Sequence, residues 1–175
     1  VAVLGSEIDK IENIINNNNG NYECFIANDN SNGQLVVSGR INELDKFILD
    51  LKKNNIKNIK LPVSAPFHCS LMSKATEIMR EELGKLTFKK GSNPLISNVT
   101  ADEIFNSDEL KDLLVKQIEN RVRWKESVIN MIEKGVDQFI EIGPGKVLSG
   151  LVKRISKDVK ANSINSEDDI KNIQI

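Results

Sequence analysis

His68 is the one histidine in this sequence, and it lies in the stretch PVSAPFHCSLM at residues 62–72. An imidazole can act as a general base near neutral pH. The stretch follows a segment that alternates apolar and polar residues like a β-strand, and loops after strands often carry functional groups in α/β proteins. The alternative interpretation is a partly buried histidine with a backbone partner. The residue by itself therefore leaves catalysis and packing both open.

A catalytic histidine needs a nucleophile, and no residue of this sequence fits that role. Cys69 is adjacent, but neighbouring residues of an extended segment point to opposite faces, so we interpret it as a buried structural cysteine. A serine on a strand–turn–helix elbow would show as G-x-S-x-G, and no serine has glycine at both positions. Cys24 lies far from Cys69 in the sequence. Two cysteines and one histidine at this spacing are too few ligands for a metal site.

Gln117 is a second polar residue that could belong to a site. The apolar spacing of the predicted helix around Leu110 places its amide on the buried face, where an amide needs a hydrogen-bond partner. A bond to a neighbouring backbone group explains this position as well as a role in a site does.

The stretch EIGPGKVL at 141–148 predicts a strand, a glycine turn and a helix N-terminus. Free N–H groups at such a terminus can bind an anion, although a plain tight turn explains the pattern equally well. The cationic residues that begin and flank this helix predict either a solvated face or a docking surface: Lys146, Lys153 and Arg154.

The composition is that of a soluble globular protein, with 39% hydrophobic and 28% charged residues in a chain of 175. A net charge of −1 gives no electrostatic support for nucleic-acid binding. No apolar run approaches the roughly 20 residues of a membrane-spanning helix, and no signal peptide opens the chain. We therefore expect a cytoplasmic protein with neither a nucleic-acid nor a membrane partner.

Residues 1–61 predict the element order β-α-β-β-α-β of a ferredoxin-like sheet. Strand-like runs stand at 1–4, 22–27, 34–38 and 56–61, and NDNSNG at 28–33 predicts the turn of a hairpin. From Pro62 onwards helices alternate with strands, which predicts an α/β layer with parallel strands and a final helix at 147–155. We predict a small ferredoxin-like subdomain at 1–61 and a larger α/β part at 62–175.

Four stretches are distributed across nearly the whole chain: NDNSNGQLVVSG, LPVSAPFHCSLM, VKQIENRVRWKESV and EIGPGKVLSGLVKRI. Together, and in this order, they resemble the malonyl-CoA:acyl carrier protein transacylase family of fatty acid biosynthesis. The resemblance implies an α/β-hydrolase-like acyltransferase domain interrupted by a ferredoxin-like subdomain. It also implies malonyl transfer from malonyl-CoA to the phosphopantetheine thiol of acyl carrier protein, through a seryl ester and without a cofactor.

The resemblance also assigns roles to particular residues. His68 matches the histidine that takes the serine proton and later activates the carrier's thiol. Gln117 matches a glutamine whose main-chain carbonyl orients that histidine in place of a triad's carboxylate. Phe67 stands where related domains selective for malonyl units carry Phe and those selective for methylmalonyl carry Ser. The family has an Asn-rich loop that lines the entrance for the pantetheine arm. The residues that match this loop are Asn28, Asn30, Gly33 and Gln34, and Asn32 replaces its usual proline.

The N-terminal part of the family has no counterpart here: its G-Q-G-x-Q oxyanion loop, its G-H-S-L-G-E elbow and the arginine that binds the malonyl carboxylate. We therefore expect the C-terminal portion of a longer protein, inactive by itself. Two alternatives stay open. One is a module that binds acyl carrier protein without chemistry, through Lys146, Lys153 and Arg154. The other is an acyltransferase that accepts other acyl-CoA esters.

Overall fold

The computed structural model describes residues 1–89 and 91–172. The chain forms two compact units, Val1–Ser127 and Val128–Ile175. The subdomain boundary that we predict after residue 61 falls inside the first unit and stays a prediction.

The first unit begins with the predicted β-α-β-β-α-β order, which the structure confirms. The first four strands form one antiparallel sheet in the order β4-β1-β3-β2, the arrangement of a ferredoxin-like fold. The elements are β1 (Ala2–Leu4), α1 (Ile8–Asn16), β2 (Cys24–Ser31), β3 (Gln34–Gly39), α2 (Ile41–Lys53) and β4 (Lys57–Ile59).

The core of this sheet is formed by the apolar stripes of its two helices and the facing side chains of its strands. Phe47 of α2 is fully buried and meets the ring of Tyr22 edge to face, with ring centroids 5.9 Å apart. Burying each large apolar side chain stabilises the fold by about 1.5–3 kcal/mol. The other fully buried aliphatic side chains of this core are Val3, Ile11, Leu35, Val37 and Leu51.

The hairpin between β2 and β3 differs from the prediction. The predicted turn at 28–33 is mostly strand, because β2 continues to Ser31 and leaves only Asn32 and Gly33 in the turn. Every second side chain, Ala27, Asp29 and Ser31, is buried, so pairing and packing outweigh the turn preference of the asparagines. Gly33 has φ 67 and its carbonyl accepts a hydrogen bond from Gly5 N–H at 2.7 Å.

The remainder of the first unit adds helices, a short hairpin and an edge strand. A 3₁₀ turn at Ser70–Met72 leads into a helix, and the side chain of Asn106 caps a later helix that begins at Ser107. The elements are α3 (Ser73–Gly84), β5 (Leu95–Ile96), β6 (Glu103–Ile104), α4 (Ser107–Lys116), β7 (Val122–Arg123) and α5 (Trp124–Glu133), whose residues from Val128 onwards belong to the second unit. Strand β7 pairs parallel to β2 and becomes the fifth strand of the sheet.

The second unit contains a parallel β-α-β arrangement, as the alternation of helices and strands predicts. The predicted helix at 147–155 is confirmed, but it is not the final element, because a strand and a further helix follow it. The polar residues of these two elements hide their periodicity. The elements are β8 (Gln138–Ile142), α6 (Val147–Ile155), β9 (Lys160–Ile164) and α7 (Glu167–Asn172), with β8 parallel to β9. Within the described part of the chain, no helix is long and apolar enough to span a membrane.

Candidate active site

His68 adopts a backbone conformation that is rare for a residue with a side chain. Its φ is 61, in the left-handed region. Such a conformation costs about 1–3 kcal/mol and persists only where the surrounding structure imposes it, which happens often at functional sites. This strain was not predictable from residue types, because it depends on how the rest of the structure holds the segment at 62–72.

The ring of His68 is held by the main chain of Gln117. Nδ1 of His68 lies 2.9 Å from the carbonyl oxygen of Gln117, across 49 positions of sequence. A carbonyl can only accept, so Nδ1 carries the proton and Nε2 keeps the lone pair of a base. The Gln117 amide nitrogen lies 3.4 Å from the same Nδ1. Because Nδ1 is itself a donor, we assign this amide's hydrogen bond to the carbonyl of Asn120, at 3.3 Å.

The carbonyl of Gln117 is available because it lies at the C-terminal end of α4. The last carbonyls of a helix have no partner within the helix. The carbonyl of Lys116 is satisfied by the turn that follows, accepting from the main-chain and side-chain N–H groups of Asn120 at 3.0 and 2.7 Å. The carbonyl of Gln117 accepts from His68 instead. This end of a helix carries partial negative charge, which complements an imidazole ring that has taken up a proton.

A cavity of about 620 Å³, which we call the histidine cavity, brings His68 together with three other predicted site residues, Phe67, Asn28 and Asn30. Phe67 is 48% exposed, so its ring is a wall of the cavity rather than part of the core. Gly33 and Gln34 do not line this cavity; they form the turn and the start of β3. Most of the wall is apolar, formed by Val36, Val37, Ile41, Leu44, Leu61 and Val63.

Cys69 is a buried structural thiol, as predicted. Its side chain is 2% exposed, and its S–H donates to the carbonyl of Pro66 at 3.1 Å. Burial raises the pKa of this thiol, which keeps it protonated and unreactive. It is therefore no substitute for the nucleophile that His68 would serve.

The second unit contains a cleft of about 590 Å³, the lysine cleft, lined by Lys146, Lys153 and Lys160. Arg154 follows Lys153 on α6 but is not among the residues of this cleft. Sequence reasoning missed Lys160. The signal that could have found it is the alternation of polar and apolar residues in KANSI, which indicates the strand that carries this lysine.

The N-terminus of α6 is already occupied by a negatively charged side chain of the protein. The carboxylate of Glu141 accepts from the backbone N–H groups of Leu148 at 3.0 Å and Ser149 at 2.8 Å. These backbone hydrogen bonds lower the pKa of Glu141. The anion site that EIGPGKVL suggested is thus filled by the protein's own side chain.

Sequence reasoning also missed two charged residues near β7. Arg121 lines a second cavity, of about 330 Å³, together with His68. Asp29 is only 5% exposed, and burial raises the pKa of its carboxyl, an effect that the positive charges of Lys125 and Arg121 oppose. Among residues 1–89 and 91–172, no group of three or more His, Cys, Asp or Glu side chains could hold a metal ion.

Comparison with known proteins identifies relatives of the chain. The model of the acyl transferase domain family matches residues 11–173. The chain is 38% identical over 172 residues to a malonyl CoA-acyl carrier protein transacylase of Staphylococcus aureus, and 37% identical to one of Bacillus subtilis. These alignments cover 97% of this chain but only 56% and 54% of the relatives, so the chain spans just over half their length.

Solved structures give the same result for the fold. A malonyl CoA-acyl carrier protein transacylase of Clostridium perfringens is 38% identical and superposes with a TM-score of 0.92, over 97% of this chain and 54% of that one. A malonyl-transacylase solved in complex with a type II PKS acyl-carrier protein is 30% identical, with a TM-score of 0.91 over 97% and 55% of the two chains. The predicted acyltransferase fold class is therefore confirmed.

Proposed function

The chain belongs to the acyl transferase domain family, and from this premise we propose that it supplies the base half of a malonyl-transfer site. The observation that carries the proposal is the hydrogen bond between His68 Nδ1 and the carbonyl of Gln117, at 2.9 Å. It leaves Nε2 as the acceptor of a proton on the side of the ring away from Gln117. The serine nucleophile belongs to the part of the relatives that this chain does not match.

The reaction has two acyl transfers with His68 as the shared base. Nε2 takes the serine proton as the serine oxygen attacks the thioester carbonyl of malonyl-CoA; the C–S bond breaks and the departing CoA sulfur receives that proton. In the second transfer Nε2 takes the proton of the pantetheine thiol, whose sulfur attacks the seryl ester. The serine oxygen leaves and recovers a proton from His68.

The carbonyl of Gln117 does the orienting work that a carboxylate does in a triad. It holds the ring with Nδ1 protonated in both transfers, and it stabilises the protonated ring through the partial charge of the α4 C-terminus. A carbonyl does this without burying a full negative charge, which would need its own compensation. Gln117 is therefore an orienting residue, while His68 is the catalytic one.

The histidine cavity is the proposed channel for the acyl group and the pantetheine arm. Its apolar wall suits the methylene groups of the arm, and the amides of Asn28 and Asn30 offer hydrogen bonds to the arm's own amides. Gly33 and Gln34 shape the neighbouring turn, which fixes the path of the strand that carries the two asparagines.

Replacing Phe67 with Ser should relax the choice of acyl group, measured with this chain joined to the N-terminal part of a relative. The ring occupies volume that the α-methyl branch of methylmalonyl-CoA would need, and one methyl group changes selectivity by roughly 10–200-fold. We expect the ratio of kcat/KM for methylmalonyl-CoA to that for malonyl-CoA to rise by about 10–100-fold. Val63→Ser alters another exposed apolar residue of the same cavity and should leave the ratio nearly unchanged. An unchanged ratio in the Phe67 variant would remove Phe67 from the specificity assignment.

The proposed second partner is acyl carrier protein, which we place on the cationic surface formed by Lys146, Lys153 and Arg154. Carrier proteins are acidic, and the lysine cleft adds Lys160 to this surface. The complex of a related transacylase with an acyl-carrier protein supports this choice of partner. Fatty acid synthesis and a cytoplasmic location remain predictions that follow from the same resemblance.

A hybrid protein tests the function directly: this chain replaces the matching part of the Staphylococcus aureus relative. We expect the hybrid to transfer malonyl groups from malonyl-CoA to acyl carrier protein, and the isolated chain to transfer none.

Substituting Lys146, Lys153 and Arg154 with Glu in the hybrid should raise KM for the carrier protein and leave KM for malonyl-CoA unchanged. A hybrid that folds and binds malonyl-CoA without transferring it would contradict the proposal. Carrier binding by the isolated chain, without any transfer by the hybrid, would favour the binding module instead.

A further inference from the structure

We propose that Arg121 is a positioning residue that holds the carbonyl of Gln117 against the ring of His68. This inference rests on the proposed function, because it concerns how the base is oriented. It adds a residue for which neither the sequence pattern nor the resemblance predicts a role.

Arg121 joins helices α1 and α5. One guanidinium nitrogen lies 3.3 Å from a carboxylate oxygen of Glu12 on α1, and the other lies 3.5 Å from a carboxylate oxygen of Glu126 on α5. Its side chain is 30% exposed, so the charge is partly shielded from water. A guanidinium is suited to such a bridge because its planar fork presents several donors in fixed directions.

The position of Arg121 in the chain links this bridge to the base. A turn at 117–120 connects α4 to β7, and Arg121 follows it directly. Hydrogen bonds to the carbonyl of Lys116 hold the start of that turn, and Arg121 holds its end. Gln117 is part of the turn, so a shift of the turn moves the carbonyl that contacts His68.

Arg121 and His68 also line one cavity. This is the cavity of about 330 Å³, whose wall also includes Cys69 and Asn120. The histidine cavity, in which substrate is proposed to bind, is a separate cavity whose wall also includes His68. Arg121 does not line the histidine cavity, so it acts through the turn and is not itself a catalytic residue.

The single histidine makes a direct test feasible, because every imidazole signal of the ¹⁵N-labelled chain belongs to His68. The ¹⁵N shifts of the neutral ring report which nitrogen carries the proton. We expect Nδ1–H to dominate in the wild-type chain. Arg121→Met should lower the ratio of Nδ1–H to Nε2–H by about 3–10-fold, the size expected when the net free energy of one hydrogen bond is partly lost.

Lys125→Met is the matched control. Lys125 forms an ion pair with Glu7 at 3.4 Å, which also links α5 to the start of α1, but Lys125 does not flank the turn at 117–120. This variant should keep the wild-type tautomer ratio. Glu12→Gln removes the negative charge from one arm of the Arg121 bridge and should shift the ratio in the same direction as Arg121→Met, by less. If Arg121→Met does not fold, the tautomer ratio of Glu12→Gln tests the positioning role instead.

The outcomes separate this inference from the function on which it rests. A wild-type ratio in both Arg121→Met and Glu12→Gln, or an equal shift in Lys125→Met, overturns the positioning role and leaves the proposed function intact. A wild-type chain with mainly Nε2–H contradicts the Gln117 contact and overturns both. In the hybrid, Arg121→Met should lower kcat several-fold with little change in KM for malonyl-CoA; a change in KM alone would contradict positioning.

Discussion

His68→Ala in the hybrid is expected to lower the rate of malonyl transfer by about 10²–10⁴-fold, the usual contribution of a positioned general base. The loss should fall on kcat in both transfers, because the same Nε2 would accept the serine proton and then the thiol proton. The measurement is the steady-state rate with malonyl-CoA and acyl carrier protein, together with the yield of the malonyl-serine ester.

Cys69→Ala provides the control for this substitution. Cys69 adjoins His68 but is buried, with its thiol bonded to the carbonyl of Pro66. Its loss should lower stability slightly and leave transfer within a few-fold of the unmodified hybrid. The assignment fails if His68→Ala also stays within a few-fold, or if Cys69→Ala abolishes the ester as strongly.

Phe47→Ala is expected to have the largest effect on stability. The side chain is fully buried in the sheet core and pairs edge to face with Tyr22. Truncation removes the buried ring and leaves a cavity, which together lower the free energy of unfolding by about 3–5 kcal/mol. Because domains of this kind are stable by only about 5–15 kcal/mol, the loss should be plain in urea denaturation.

Leu49→Ala tests whether this loss reflects burial rather than the change of helix residue. Leu49 lies on the same helix, α2, but is 56% exposed. We expect a change in the free energy of unfolding within about 0.5 kcal/mol. A comparable loss in both variants would show that the packing described around Phe47 is wrong.

The arrangement of elements in the first 61 residues was predictable because each element has a local signal. Apolar residues at helical spacing mark α1 and α2, and short apolar runs mark the strands, so periodicity alone gives the order. The hairpin was predicted less well. Its asparagines favour a turn locally, whereas the burial of Asp29 and Ser31 against other segments extends the strand.

For the site, the sequence by itself determined which side chains are available: one imidazole, the phenyl ring before it, a thiol after it, and no serine elbow. Only the tertiary structure decided that His68 takes a left-handed conformation, that a carbonyl 49 positions away holds its ring, and that Arg121 joins α1 to α5 next to the turn that carries this carbonyl. Residue type and spacing act between neighbours along the chain, whereas hydrogen bonds between distant segments depend on the path that the whole chain follows in space.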